Sequence, residues 1–507
     1  MYHHLKKLVN MKRFSSIKLV LASAILIFSL GCKKFSDLAA DPNKPSDGSP
    51  ALIFTGVTSQ ALVYNPILGY EVRASQYLVS DNSQQSDQAY LWTTTEYWGY
   101  YDILRNVERL RIESENHNAP VYGIIAKFFK AWCFAELSKQ VGDIPMTEAL
   151  QGSDGNYTPV YDSQKDVFKN SLALLDEANT EMSSLLQSNP GVAINGDIIY
   201  GGSALKWQKL FNSYRLRLLI DLSRKESDAD LDIKTQFANI FNNPGKYPVF
   251  TSNDDAAVFH WYDKEGNRYP RYYVPTNMDY YRFSETYMQY IIQYNDPRAF
   301  VVARITQNAK DAGKLPDDFT AYGGINSGLS IGDIYNLKDD ASALNIDRYS
   351  TVTGEPMIIV GYPELNFNIA EAINRGWISG DANLYFEKGI RASMQFYQST
   401  GGNISDAQID AYLLQPAVQY NNSLSQILIQ KYLSFFNNSG WESFYNMKRT
   451  GIPAFSVGPG NGNNNLIPSR WMYPQSEYQY NEQHVQDAIQ RQFNGTDDRN
   501  GQLWFNQ

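Results

Sequence analysis

The stretch Leu19–Cys32, LVLASAILIFSLGC, constrains this chain most; it follows the basic residues Lys6, Lys7, Lys12, Arg13 and Lys18. Its apolar run is shorter than the ~20 residues a membrane-spanning helix needs. It closes on Ser29-Leu30-Gly31 before a cysteine. A positive start, a short apolar core and a small residue at the end are the layout of a cleaved export signal. Met11 opens a tighter version of the same signal, MKRF. Small exported domains commonly rely on disulfides, but after Cys32 the only thiol here is Cys133. Stability is therefore expected from size and packing, with Cys133, in AKFFKAWCFAEL, as a small buried hydrophobe.

Gly31-Cys32 resembles a bacterial lipobox, although Ser29-Leu30 reverses its usual leucine-then-small order. The expectation is a lipoprotein signal peptide over residues 1–31 and an acylated Cys32 that becomes the mature N-terminus. Several acyl chains on one residue hold firmly, each buried CH₂ contributing ~0.8 kcal/mol. Residues 32–50 read as an extended tether, with Asp41-Pro42-Asn43, Pro45 and Asp47-Gly48-Ser49-Pro50.

By length the ~475 residues beyond Cys32 make two or three domains or one large helical array. Periodicity favours helices. Tyr97, Tyr101, Leu104 and Val107 keep helical spacing, and Val121–Leu137 is strongly apolar before the turn Gly142-Asp143-Ile144-Pro145. Gln164–Leu186 is a further helix, and Trp207, Leu210, Phe211, Tyr214 and Leu218 line one face of another. Between 241 and 360 the periodicity weakens, Gly, Asn, Asp and Pro accumulate, and tyrosine is dense; long loops of this kind are often functional. One helix interrupts them near Glu285–Tyr294. After Gly361 a helix–turn–helix of about 35 residues has the size of one tetratricopeptide unit, and Ser423–Phe436 with Glu442–Lys448 forms another pair.

A net charge of −9 argues against a phosphate-binding surface, so nucleic acid is not expected as a partner. Aromatic residues make up 14% of the chain, including 36 Tyr and 9 Trp, so large rigid contact surfaces are plentiful.

A set of short motifs runs in order along the chain. It begins with Asp41-Pro42-Asn43 and Leu52-Ile53-Phe54-Thr55-Gly56, then Lys139-Gln140-Val141-Gly142-Asp143-Ile144-Pro145 with Glu148-Ala149. Lys206-Trp207 through Asn212-Ser213-Tyr214-Arg215-Leu216-Arg217, Asn295-Asp296-Pro297-Arg298 and Tyr362-Pro363-Glu364-Leu365 with Ala370-Glu371-Ala372 follow. Gln430-Lys431-Tyr432, Lys448-Arg449-Thr450-Gly451-Ile452-Pro453, and Ile467-Pro468-Ser469-Arg470 with Tyr473-Pro474 complete it. In this ordered set the chain resembles the SusD/RagB outer-membrane lipoproteins of Bacteroidetes, particularly the SusD-like subgroup described as starch-binding and associating with the outer membrane. The resemblance implies an all-α fold over residues 51–507, in which tetratricopeptide-like helix pairs form a scaffold and long irregular loops form the ligand face. It further implies a lipid-anchored surface protein that captures oligosaccharide, or in some relatives peptide, and acts as the lid of a SusC-type TonB-dependent transporter. The motifs are architectural in that family and do not mark the ligand site.

A glycan-capturing surface needs apolar platforms for sugar C–H faces and polar groups for hydroxyls, which Tyr and Trp combine at low conformational cost. The first candidate cluster is Trp261, Tyr262, Tyr269, Tyr272, Tyr273, Tyr280 and Tyr281, with Asp263, Asn267, Arg268 and Arg271 beside it. Closing the core under the loops is the competing role for half of these aromatics. A second candidate is Asn82 with Trp92. A third is Tyr322 with Asn326, in a loop whose glycines either let a backbone approach a ligand or simply make the loop flexible. No metal or organic cofactor is expected: mature histidines are confined to His117, His260 and His484, and no HExxH, nucleophile elbow or Walker loop is present. A glycosidase needs only two carboxylates, for which Asp254, Asp255 or Glu265 would have to serve, and nothing singles them out. The expectation is a binding protein rather than an enzyme.

Overall fold

The architecture was taken from a computed structural model, which describes residues 48–63, 67–94, 97–272 and 278–507. The signal, Cys32 and most of the tether lie outside the described residues, as does Tyr273. Pro50–Gln507 form one unit. Helices of eight residues or more are numbered here. They are α1 (Pro50–Val63), α2 (Tyr100–Asn116), α3 (Pro120–Val141), α4 (Gln164–Ser188), α5 (Ala204–Asp221), α6 (Ile233–Asn242) and α7 (Glu285–Gln293). After the loop-rich part come α8 (Tyr362–Asn374), α9 (Ala382–Ser399), α10 (Asp406–Leu413), α11 (Leu424–Ser434), α12 (Glu442–Thr450) and α13 (Glu482–Phe493). The fold is all-α in class: among the described residues the strands β1 (Leu78–Ser80), β2 (Ala257–Phe259), β3 (Tyr281–Phe283) and β4 (Met357–Val360) form two two-stranded antiparallel ribbons, β1 with β3 and β2 with β4.

Local chemistry starts the helices where they start. The Ser163 and Ser203 side chains accept the backbone N–H of Asp166 and Lys206 at the heads of α4 and α5, and Ser405 with Gln408 closes a capping box on α10. Pro120 sits in the first turn of α3, where its missing N–H is harmless. Nearly every side chain of α3 from Val121 to Val141 is buried, which suits a helix apolar on all sides that must sit at the centre of a bundle.

Packing runs continuously along the chain. α1 lies on α2, α2 on α3, α3 on α4 and α4 on α5; α5 meets α8, which packs on α9 and α11. α2–α3, α4–α5 and α8–α9 are sequence-adjacent helix pairs packed on one another, and α12 lies against α5. Among the described residues two large apolar clusters result, with a small third around Val79, Ile325, Ile334 and Ala341. One fills the helical scaffold, where Phe128 stacks on Phe211 and meets Trp207 and Tyr214 edge-on. The other lies under the loop-rich segment and uses its aromatics as core: Tyr77 stacks on Tyr432 at 4.5 Å, with Tyr287 and Phe436 edge-on to it.

Many of the charged residues of the sequence motifs are buried, Lys139, Arg217, Asp296, Arg298, Glu364, Glu371, Lys431 and Arg449 among them. The Lys139 ammonium sits among Glu136 (2.9 Å), Asp221 (3.3 Å) and Glu442. Arg217 holds Glu364 through two nitrogens, and Arg298 holds Asp296, both fully enclosed. Arg449 grips Glu371, which also accepts from Arg375 at 2.8 Å. Lys431 donates to Asn368 and Asn446 at 2.7 and 2.9 Å. Burial alone would push the Glu371 carboxyl up, but Arg449 overrides it and holds the group at about 2. These networks tie α3, α5, α8, α11 and α12 together, and none of their members lines the cleft described next.

Candidate functional site

A cleft of about 1040 Å³ opens between α1, the turn Ile67–Tyr70 and the loop 259–271. α1 contributes Thr55 and Ser59; the loop contributes Phe259, His260, Trp261, Tyr262, Asn267 and Arg271. Its position follows from the β2–β4 ribbon: β2 ends at Phe259, so the chain leaves the ribbon at His260 and turns back at Lys264–Asn267. In that turn the Tyr262 N–H donates to Asn267 O at 3.1 Å and the Asn267 N–H to Lys264 O at 2.9 Å.

Trp261 is clamped from behind. Its ring meets Phe259 edge-on at 4.8 Å and Tyr269 at 6.2 Å. Its indole N–H is shielded from water and finds no acceptor among the described residues. A buried donor left unpaired is costly, of order 1–3 kcal/mol. Tyr262 stands half out of the surface, 48% exposed, beside it. Arg271 spans the cleft floor, donating to Leu68 O at 3.0 Å. Desolvation by the cleft wall lowers the His260 pKa, so near neutral pH its ring is an uncharged donor and acceptor. No Asp or Glu is among the described residues that line this cleft.

Tyr70, 50% exposed, and Arg73 close the far wall. Arg73 lies between the rings of Tyr70 (5.8 Å) and Tyr281 (5.4 Å), donates to Tyr281 Oη at 2.7 Å and pairs with Asp87 at 2.7 Å. Behind them Glu71 is buried, with one oxygen unpartnered among the described residues. Burial raises its carboxyl to about 7, against the backbone hydrogen bonds and the Arg73 charge that oppose the rise. Tyr70, Arg73 and His260 were not singled out by sequence, since no motif or period marks them; only tertiary folding brings residues 70–73 against 259–271.

The sequence candidates separate. Trp261 and Tyr262 come together in the cleft. Tyr269 does not reach it: the ring is fully buried on Gly354, where a Cβ would fall 2.1 Å from Tyr269 Cγ, so it supports Trp261 from the core. Tyr272 is half-buried under the Arg268 guanidinium, 5.5 Å from its ring centre, and Arg268 is paired with Asp263 at 2.7 Å. Tyr280 is exposed near Asp81, whose N–H bonds its carbonyl. Trp92 is enclosed rather than presented, stacked on Trp471 at 4.1 Å with Trp441 edge-on at 5.6 Å, and borders a separate recess of about 210 Å³ shared with Tyr70. Asn82 lies exposed on a turn where it accepts from Ser80 and Ser83. Tyr322 is buried and donates to Pro316 O at 2.7 Å; Asn326 bonds Glu285 at 3.2 Å. The glycines beside them serve the protein's own packing: a Cβ on Gly323 or Gly324 would lie 2.3 Å from Asp340 O or 2.5 Å from Ser284 O. Of the carboxylates, Asp255 is paired with Lys209 at 2.7 Å and bonded by Thr251, contacts that outweigh burial and lower its pKa. Asp254 and Glu265 stand on the surface, and none of the three lines the cleft.

Three comparisons bear on this geometry. The SusD-like family model, described as starch-binding and associating with the outer membrane, matches residues 45–474. A crystal structure of a SusD homologue from Bacteroides fragilis is 37% identical, with a TM-score of 0.82 over 91% of this chain and 100% of that one. A second SusD homologue from the same species is 31% identical, with a TM-score of 0.82 over 90% and 100%. A structure named a chitin-binding protein is 26% identical, with a TM-score of 0.74 over 90% and 100%. Among curated proteins none matches. No helix among the described residues is long and apolar enough to cross a membrane.

Proposed function

Because this chain belongs to the SusD-like family of proteins that associate with the outer membrane, we propose that it captures oligosaccharide at the cell surface without cleaving it, in the Trp261 cleft. The observation that carries this reading is the pairing of a rigid Trp261 platform, its indole N–H unsatisfied, with exposed Tyr262 and Tyr70 around one large cleft. The volume lies at the upper end of the range for small-molecule sites, about 300–1,000 Å³, which suits a ligand of several linked rings. Support for binding rather than hydrolysis comes from a cleft whose described lining carries no carboxylate pair, and from a relative named for chitin binding. In this reading Cys32 carries the lipid anchor, the protein faces the exterior, and it serves as lid to a SusC-type TonB-dependent transporter. The export-type segment ending at Cys32 and the family membership support those assignments.

Isothermal titration of the protein from Lys33 onward against malto-, chito- and cello-oligosaccharides and against peptides tests it. A saccharide should bind without turnover, and Trp261→Ala should weaken it about tenfold or more, the usual loss for a central tryptophan. Peptide binding alone, saccharide affinity unchanged in Trp261→Ala, or product release from the saccharide would overturn the assignment.

A further inference from the structure

The chain as a whole is acidic, with 53 Asp and Glu against 44 Lys and Arg, yet one recess reverses that sign. It has a volume of about 610 Å³, lies apart from the Trp261 cleft, and is lined by Arg282, Arg304, Lys310, Lys314 and Lys338, with Asp339 as the one carboxylate among its described lining residues. Three segments build it and hold it rigid: the Arg304 N–H donates to Ala343 O at 2.8 Å, the Thr306 N–H to Ala321 O at 2.9 Å, and bridges join Arg282 to Ala343 and Ala303 to Leu344. Its apolar floor includes Phe300 and the ring of Tyr322, 6.0 Å apart.

The cations are not equally spent. Arg282 is matched by Asp81 at 3.0 Å, and Lys338 by Asp339 at 3.2 Å. Lys314 donates to the carbonyl and hydroxyl of Thr320, with Asp318 4.0 Å away. Arg304 touches Asp347 at 3.2 Å, but both side chains are exposed, so the pair exchanges freely with a ligand. Lys310 has no side-chain hydrogen bond or ion pair among the described residues. A concave wall bearing uncompensated positive charge focuses its field on the recess and raises the local concentration of anions. The planar Arg304 fork matches a carboxylate or sulfate, and a ring floor beside it matches the C–H face of a sugar.

We propose that this recess is a second ligand site, for an oligosaccharide carrying carboxylate or sulfate groups. The inference stands on the recess alone and does not depend on the Trp261 cleft.

The test is equilibrium binding of tetragalacturonate, maltotetraose and inorganic sulfate to the protein from Lys33 onward, in wild type, in Lys310→Glu/Arg304→Glu and in Trp261→Ala. Thermal melting checks that the surface-charge variant is folded. Tetragalacturonate should bind more tightly than maltotetraose at this site and weaken as salt rises from about 20 to about 200 mM. It should lose about tenfold or more in the charge-reversal variant and nothing in Trp261→Ala. Equal affinity in wild type and Lys310→Glu/Arg304→Glu, or no binding of tetragalacturonate, would overturn the proposal. Sulfate that competes as well as the tetrasaccharide would make the recess a site for free anions and refute its saccharide part. Failure of the Trp261 assignment shows instead as maltotetraose or other neutral saccharide binding untouched by Trp261→Ala.

Discussion

Replacing Glu371 by Gln keeps the shape of the side chain and removes its charge, leaving Arg449 buried with no carboxylate. Glu371 is fully enclosed, and Arg449 meets it through both terminal nitrogens while Arg375 adds a third contact. Two routes give the magnitude. The carboxyl is held at about 2, against an ordinary 4.5; a drop of that size corresponds to about 3 kcal/mol of native-state stabilisation. Removing one partner of a buried pair costs about 3–5 kcal/mol by general experience. For a unit of this length each kcal/mol moves the midpoint by roughly 1 °C, so Glu371→Gln should melt about 3–5 °C below wild type at pH 7. The native pKa lies below the unfolded one, so the contribution is complete above pH 4.5 and is lost as pH falls through that value towards 2. Scanning calorimetry of wild type and variant from pH 7 to pH 3 should therefore show the gap closing on acidification. A variant that melts within 1 °C of wild type at pH 7, or a gap that stays constant with pH, would refute the reasoning. Saccharide affinity should be unchanged, since Glu371 lies in the scaffold.

Glu71→Gln should act with the opposite sign. Its native carboxyl sits at about 7, so the stability it confers is complete below pH 4.5 and disappears as pH rises through 7. The variant should match wild type in acid and exceed it above pH 7 by up to ~3 kcal/mol; a variant less stable at pH 8 contradicts the assignment. Trp92→Ala empties a niche enclosed by Trp471, Trp441 and Phe444 and should cost ~3–5 kcal/mol in a melt while leaving saccharide affinity intact. A normal melt with lost affinity would return Trp92 to the ligand face. Gly354→Ala forces a methyl against the Tyr269 ring at a backbone φ of +46°, and should weaken saccharide binding through the displaced Trp261 as well as lower the melting point. Unchanged affinity would show that Tyr269 does not position Trp261.

The scaffold was legible where a local pattern decides it. α3 announces itself because its run is strongly apolar and a Gly-Asp-Ile-Pro turn ends it, and α4 was read as a helix over nearly its whole length. The irregular character of 241–360 was equally plain. What could not be read was which loop aromatic faces outwards. Tyr262 and Tyr269 sit in one run, HWYDKEGNRYP, and nothing local tells them apart. Tyr269 is buried because its N–H reaches Val352 O and its ring lies on Gly354, both far along the chain. Trp92 is likewise enclosed by tryptophans about 350 residues away, at positions 441 and 471. The motif charges were visible as residue types, but their burial becomes evident only when α3, α5, α8, α11 and α12 are assembled.

The Lys139 network also bears on how the chain can be made. Lys139 and Glu442 are 303 positions apart, and Asp221 lies 82 from Lys139. Until α12 has been synthesised and docked, the scaffold of α2–α5 holds an ammonium short of one of its three carboxylates. Burying that ammonium with only Glu136 and Asp221 beside it is less favourable than with all three carboxylates in place. Closure waits on contacts of very high sequence separation, which slows the final step and favours its occurrence only once the whole polypeptide is present. A scaffold whose central charge is matched only by the last helices is locked from both ends of the sequence.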